Sequence, residues 1–87
     1  MKHTIRVRGL NDKDVLTEFI LPNLAATTNY SLKCWDLDDV TGTIELEGSW
    51  SEHERDMKFL SEVHPCFLFV LYRGDEDKYF HQGCMFK

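Results

Sequence analysis

Cationic side chains are scarce in this chain. Ten Lys and Arg face 15 Asp and Glu, a formal charge of −5. A domain that grips nucleic acid through its phosphates needs the opposite excess, so direct nucleic-acid binding is not expected. Cysteine is also sparse. Cys34, Cys66 and Cys84 are odd in number and form no CxxC, which speaks against a disulfide framework and for reduced thiols in a cytoplasmic protein. No signal peptide precedes the first strand expected below. No apolar run approaches the roughly 20 residues of a membrane span, so no membrane role is expected. Repeats, low-complexity tracts and interdomain linkers are absent, as are the glycine patterns GxGxxG and GxxxxGK[ST] of nucleotide sites. The 87 residues, 43% hydrophobic and 13% aromatic, have the composition of one folded domain spanning 1–87.

Hydrophobic spacing assigns the elements. HTIRVRGL alternates, with Ile5 and Val7 on one face and Thr4, Arg6 and Arg8 on the other, which reads as a half-buried strand. Asn11 is placed to cap a helix with Asp12 and Asp14 in its first turn and a stripe of Val15, Leu16, Phe19 and Ile20. Pro22 is expected to end it, leaving Leu24–Asn29 as a loop. YSLKCW reads as a second strand, DLDDVTG as a turn using Gly42, and TIELEG as a third strand. In SWSEHERDMKFLSEVHP, Ser51 and Glu54 have capping-box spacing, Met57, Leu60 and His64 share a side, and Pro65 stops the helix. FLFVLY and KYFHQGCMF then form a hairpin across Gly74.

The order β-α-β-β-α-β-β gives an α+β fold of the ferredoxin-like, split βαβ kind. Two helices cover one face of an antiparallel sheet ordered 5-4-1-3-2. Period-two alternation puts Ile5, Val7, Ile44, Leu46, Phe67, Phe69, Leu71 and Phe80 on the covered face. The open face carries Arg6 and Arg8 beside Glu45 and Glu47, which are expected to pair across neighbouring strands. It also carries Lys33, Trp35, Leu68, Val70, Tyr72, Tyr79 and His81. FLFVLY is apolar on both faces, so Leu68, Val70, Tyr72 and Tyr79 form either an exposed docking patch or a surface covered by the C-terminal tail or the Leu24–Asn29 loop.

Catalytic and metal chemistry find little support. Acidic residues cluster at Asp36, Asp38, Asp39 and at Asp75, Glu76, Asp77, without EF-hand spacing. They read either as a charged rim for a basic partner or as two solvated hairpin turns. His81 and Cys84, and His64 and Cys66, lack a second pair at ligand spacing, so no metal is expected. No cysteine stands in a recognisable nucleophilic context, and no cofactor motif occurs; the expectation is a protein that is not an enzyme.

The C-terminal half resembles the YubB-type ferredoxin-like domain of plasmid and phage proteins. The matching residues are Trp50 and Ser51 leading into a helix, then Leu60, Ser61 and Pro65, the aromatic strand with Phe67, Phe69 and Tyr72, Gly74 in the turn, and Phe80 and Gly83. Gly9 and Phe19 match in the first half, whereas KHTIRV stands in place of that family's Trp-Cys-Asn start. The resemblance implies the fold and a mobile-element origin, hence a host-cell cytoplasm. It implies no catalytic residues.

Together these readings describe a small acidic phage or mobile-element protein that binds and inhibits a host protein with a basic surface. Defence machinery, a CRISPR effector or a toxin nuclease, is the target class. The expected contact residues are Tyr72, Asp75, Glu76, Asp77 and Tyr79 on the last hairpin, and Trp35, Asp36, Asp38 and Asp39 at the earlier turn. The alternative is an RNA- or nucleotide-binding module using the open sheet face. Homodimerisation through the C-terminal hairpin or that same face is a further possibility.

Overall fold

The computed structural model describes residues 2–10, 12, 14–28, 32–38 and 40–86, and of Trp35 the backbone alone. Lys2–Arg8 forms β1, Leu32–Asp38 β2, Thr43–Gly48 β3, Leu68–Arg73 β4, Glu76–His81 β5 and Cys84–Phe86 β6. A π-helical turn, Leu16–Ile20, runs into α1, Leu21–Thr27, and His53–Val63 is α2. The sheet is six-stranded, ordered β2-β3-β1-β4-β5-β6, with antiparallel neighbours throughout. The first five strands thus neighbour one another as the sequence implies. The strand count does not match: the turn at Gln82 and Gly83 splits the expected last strand in two.

Alternation explains where the core lies. In β1 the odd positions 3, 5 and 7 are buried, while Arg6 and Arg8 are exposed. Ile5, Val7, Ile44, Leu46, Phe69, Leu71 and Phe80 join Leu16, Ile20 and Leu24 of the first helical stretch and Met57 and Leu60 of α2 in one cluster. Of the residues expected on the covered face, Phe67 alone is half-buried. Trp50, just ahead of α2, is a core member that strand and helix periodicity did not reach.

Pro22 does not end the first helix. It has no N–H, and its ring crowds the carbonyl four residues back. The chain widens ahead of it into a π turn, in which the Leu21 N–H reaches the Leu16 carbonyl, and the proline then sits in the first turn of α1, where its missing donor costs nothing. The stretch expected as a loop is therefore helical through Thr27, with Leu24 in the core. Asn11 lies outside the described residues; Asp12 Oδ1 accepts the Asp14 N–H at 3.0 Å at this helix start. The Ser51–Glu54 capping box does not form either: Glu52 is the N-cap of α2 with no side-chain cap bond, and Lys78 takes the Glu54 carboxylate at 2.6 Å.

Ser61 fastens the last turn to α2. Its fully buried hydroxyl donates to the Lys58 carbonyl at 2.8 Å and accepts the Gly83 N–H at 3.0 Å. Ser61→Ala removes that acceptor from a part-buried N–H, and urea unfolding is expected to show a loss of about 1–2 kcal/mol.

Candidate functional site

Cross-strand register places the side chains of the uncovered face. Thr43, Arg6, Val70, Tyr79 and Phe86 form one row across β3, β1, β4, β5 and β6. Glu45, Thr4, Tyr72 and Asp77 form the next. Among the described residues neither stretch considered as a cover lies over these rows: 84–86 joins the sheet edge as β6, and Leu24 turns α1 into the core, while Asn29 and Lys87 lie outside the described residues. Leu68, Tyr72 and Tyr79 are half-buried. Val70, expected in the exposed patch, is fully buried. Its neighbours give the reason, since a short side chain set among Arg6, Tyr79, Leu68 and Tyr72 is shielded by longer ones. Phe86, at 46% exposure, adds a ring that the sequence reading left out, stacked on Tyr79 at 5.9 Å and 27°.

The acidic turn divides between the two sides. Asp77 stands opposite Tyr72 on the open face, whereas Glu76 stands opposite Arg73 on the covered side and lies 3.6 Å from Lys78. Asp75 occupies the exposed tip. With Glu54, Lys78 and Met85 these three acids line an open cleft of about 420 Å³. Four carboxylates face one ammonium there, and Lys78 is already held by Glu54 and Glu76, which raises its pKa chiefly through the Glu54 hydrogen bond.

The earlier acidic group is built differently. The register shifts between Cys34 and Asp36, a bulge at Trp35, so Asp36 and Asp38 lie within β2 opposite Glu45 and Thr43 on the open face, not in a turn. Both carboxylates bind their own backbone. Asp36 accepts the Leu37 N–H at 2.9 Å, and Asp38 accepts the Val40 and Thr41 N–H groups at 3.0 and 3.3 Å. The Thr41 bond, then the Val40 bond, hold the Asp38 carboxyl below its ordinary value. Asp38 is therefore a turn-forming residue. Asp39 and the Trp35 side chain lie outside the described residues. The expected pairing of Arg6 and Arg8 with Glu45 and Glu47 does not form, because Lys2 and Thr4 stand opposite Glu47 and Glu45, and the bridge made is Lys2–Glu45 at 3.8 Å. Among the described residues neither Arg6 nor Arg8 makes an ion pair.

Where Arg73 and Lys78 reach the covered side, they meet a polar cluster that the sequence reading missed. His3 is fully buried; its Nε2–H donates to the Gly48 carbonyl at 3.0 Å, and its Nδ1 accepts the Arg73 Nε–H at 3.3 Å. His53 has the opposite tautomer. Its Nδ1–H donates to the Trp50 carbonyl at 3.2 Å, and its Nε2 accepts from Arg73 Nη1 at 3.0 Å and Lys78 Nζ at 3.2 Å. The Trp50 indole lies edge-on to both rings, at 5.4 and 6.3 Å, and donates its N–H to buried Asp56 at 2.8 Å. His3 at position 3 extends the buried alternation of Ile5 and Val7, a signal that was available; the partners of His53 come from strands far along the chain.

No group of three or more His, Cys, Asp or Glu able to hold a metal lies together among the described residues, and no helix of the structure is long and apolar enough to cross a membrane. Compared with protein-family models, with curated proteins and with solved structures, the chain finds no match.

Proposed function

We propose that this protein docks onto and inhibits a host protein with a basic surface, a defence factor such as a CRISPR effector or a toxin nuclease, and that it descends from a phage or mobile element. Its fold reads as a ferredoxin-like split βαβ sandwich extended by β6, in keeping with the YubB-type resemblance. The observation that carries the docking reading is the β4–β5 hairpin, where the rings of Tyr72 and Tyr79 lie with Asp77 on the uncovered sheet face, while Asp75 at the exposed tip and Glu76 on the other side open with Glu54 of α2 into an acidic cleft. Half-buried tyrosines offer rigid apolar area with a polar tip, and a carboxylate cleft accepts a lysine or arginine from a partner. The acidic charge steers such a partner in, an effect that salt screens.

Charge reversal tests this directly. With the partner captured from host lysate, Asp75→Lys combined with Asp77→Lys is expected to weaken binding roughly tenfold or more at low salt and to flatten its salt dependence, because exposed interfacial charges act mainly on association. Tyr72→Ala with Tyr79→Ala is expected to abolish retention at every salt concentration. Equal retention of all variants sinks the proposal.

A second reading has its own observation. Arg6 and Arg8 stand exposed on the central strand beside the tyrosine rows, the arrangement an RNA-binding sheet uses. Asp36, Asp38, Glu45 and Glu47 share that face and repel phosphate, which ranks it second. Filter binding of single-stranded RNA at low salt separates the two: tight retention favours the nucleic-acid reading.

A further inference from the structure

The cluster of His3, His53, Arg73 and Lys78 joins four separate elements at one end of the sandwich. His3 lies on β1, His53 in the first turn of α2, Arg73 at the end of β4 and Lys78 on β5. Each imidazole spends its one N–H on a backbone carbonyl and turns its remaining lone pair towards a cation. A second proton on either ring therefore has no acceptor waiting. On His3 Nδ1 it would face the Arg73 Nε–H, and on His53 Nε2 the Arg73 and Lys78 donors, so a hydrogen bond becomes a contact between like charges. Arginine does not give up its proton in a protein, and Lys78 is kept charged by Glu54 and Glu76.

The surrounding charges relieve this only in part, through the Glu54 carboxylate, which favours a protonated His53. Glu54 lies 3.9 Å from His53 Nε2 but is already bound by Lys78 at 2.6 Å. Glu76 approaches Lys78, not an imidazole. Asp56 is turned to the Trp50 indole and to Arg55. On His3 the Arg73 charge acts together with a weaker unfavourable interaction with His53 should that ring take a proton.

We propose that these four side chains form an acid-sensitive clasp, closed while both imidazoles accept hydrogen bonds and opened when either takes a proton. Arg73 and Lys78 flank the turn at Gly74 and Asp75, so opening loosens the β4–β5 hairpin from α2. If the docking reading above holds, partner binding through that hairpin becomes acid-labile. The clasp itself needs no partner.

Burial, its largest cause, holds both imidazoles below their ordinary value, and the Arg73 charge lowers them further. The unfolded chain then binds protons more readily than the fold. Stability is complete above the unfolded histidine pKa of about 6.5 and declines as pH falls from there towards the depressed folded values. His64, at the far end of α2, accepts from Asn23 Nδ2 at 3.0 Å and is lowered by burial too, so it contributes separately.

The test uses the whole chain. Nitrogen-15 spectra of the histidine rings are expected to show His3 as the Nε2–H tautomer and His53 as the Nδ1–H tautomer at pH 7. Between pH 7.5 and 5.5 the urea midpoint is expected to fall by about 0.5 M or more in the wild type and in His64→Gln alike. In the double variant His3→Gln, His53→Gln, whose amide oxygens accept without titrating, most of that fall should vanish. The proposal is overturned if the midpoint is independent of pH, if the fall disappears with His64→Gln alone, or if His3 and His53 protonate while the backbone signals of 73–78 and the Trp50 indole signal stay in place. The ring spectra and the wild-type midpoints decide the matter even where the double variant fails to fold.

Discussion

Gly42→Ala is expected to remove roughly 2–4 kcal/mol of stability, whereas Gly74→Ala, at a turn of similar backbone geometry, costs about 1 kcal/mol. Both glycines have positive φ, +72° and +60°. The conformational penalty for a left-handed L-residue is about 1–2 kcal/mol and applies to both. Space separates them. A Cβ on Gly42 would sit 2.6 Å from the Val7 carbonyl oxygen and 3.0 Å from Leu10 Cδ1, while one on Gly74 meets nothing within 4 Å. The first obstacle is backbone, and it cannot swing aside, because Val7 is itself bound to this turn by its N–H, which donates to the Gly42 carbonyl at 2.7 Å. Relieving the clash would lift the β2–β3 turn off β1 and disturb Val7 in the core. A domain of this size has total stability of about 5–15 kcal/mol, so the loss is a large fraction of the whole. Urea unfolding of both variants is the measurement. Equal losses at the two positions would show that the close approach at Gly42 does not constrain the fold.

That glycine also marks how far the sequence alone leads. The alternation in HTIRVRGL, TIELEG and FLFVLY is a property of the chain itself, and it placed Ile5, Val7, Ile44, Leu46, Phe69 and Leu71 on the covered face. The same rule put Tyr72 and Tyr79 together on the other face, where register also places them. Features set by a partner strand were not readable. The bulge at Trp35 arises where β2 slips against β3, and that single residue moves Asp36 and Asp38 onto the open face. Val70 is buried by side chains from β1 and β5, which no local pattern announces.

Two further errors came from local rules outcompeted by contacts from afar. Glu54 has the spacing of a capping residue, but an ammonium from β5 binds a carboxylate more strongly than a backbone N–H does, and Lys78 claims it. Pro22 has the look of a helix stop, yet burial of Ile20 and Leu24 on either side rewards continuing the helix, and a π turn makes room for the ring. Asp56 went unremarked because it stands in the charged run HERDMK, where a buried acid looks like any exposed one. The β5–β6 turn was in reach: a glycine interrupting an apolar strand, as Gly83 does, is the usual sign of a hairpin or bulge.

Asp56 carries the second large effect. Trp50→Phe is expected to cost roughly 2–4 kcal/mol, more than the small loss of ring area accounts for, because the indole N–H that donates to Asp56 Oδ2 at 2.8 Å has no replacement in phenylalanine. The carboxylate stays where it is, with the residue only 4% exposed. Arg55 lies 3.5 Å from its other oxygen, but that guanidinium is largely in solvent and cannot stand in for a donor on the buried side. A buried acceptor stripped of its donor loses the bond and keeps the desolvation cost, an asymmetry that a double-mutant cycle isolates. Asp56→Ala alone leaves the indole N–H unpaired in the same place. With both changes made, neither orphan remains, so the double variant should be about 1–2 kcal/mol more stable than the sum of the single losses implies. Strict additivity would mean that the Trp50–Asp56 bond contributes nothing to stability, and that the tryptophan is held by packing alone.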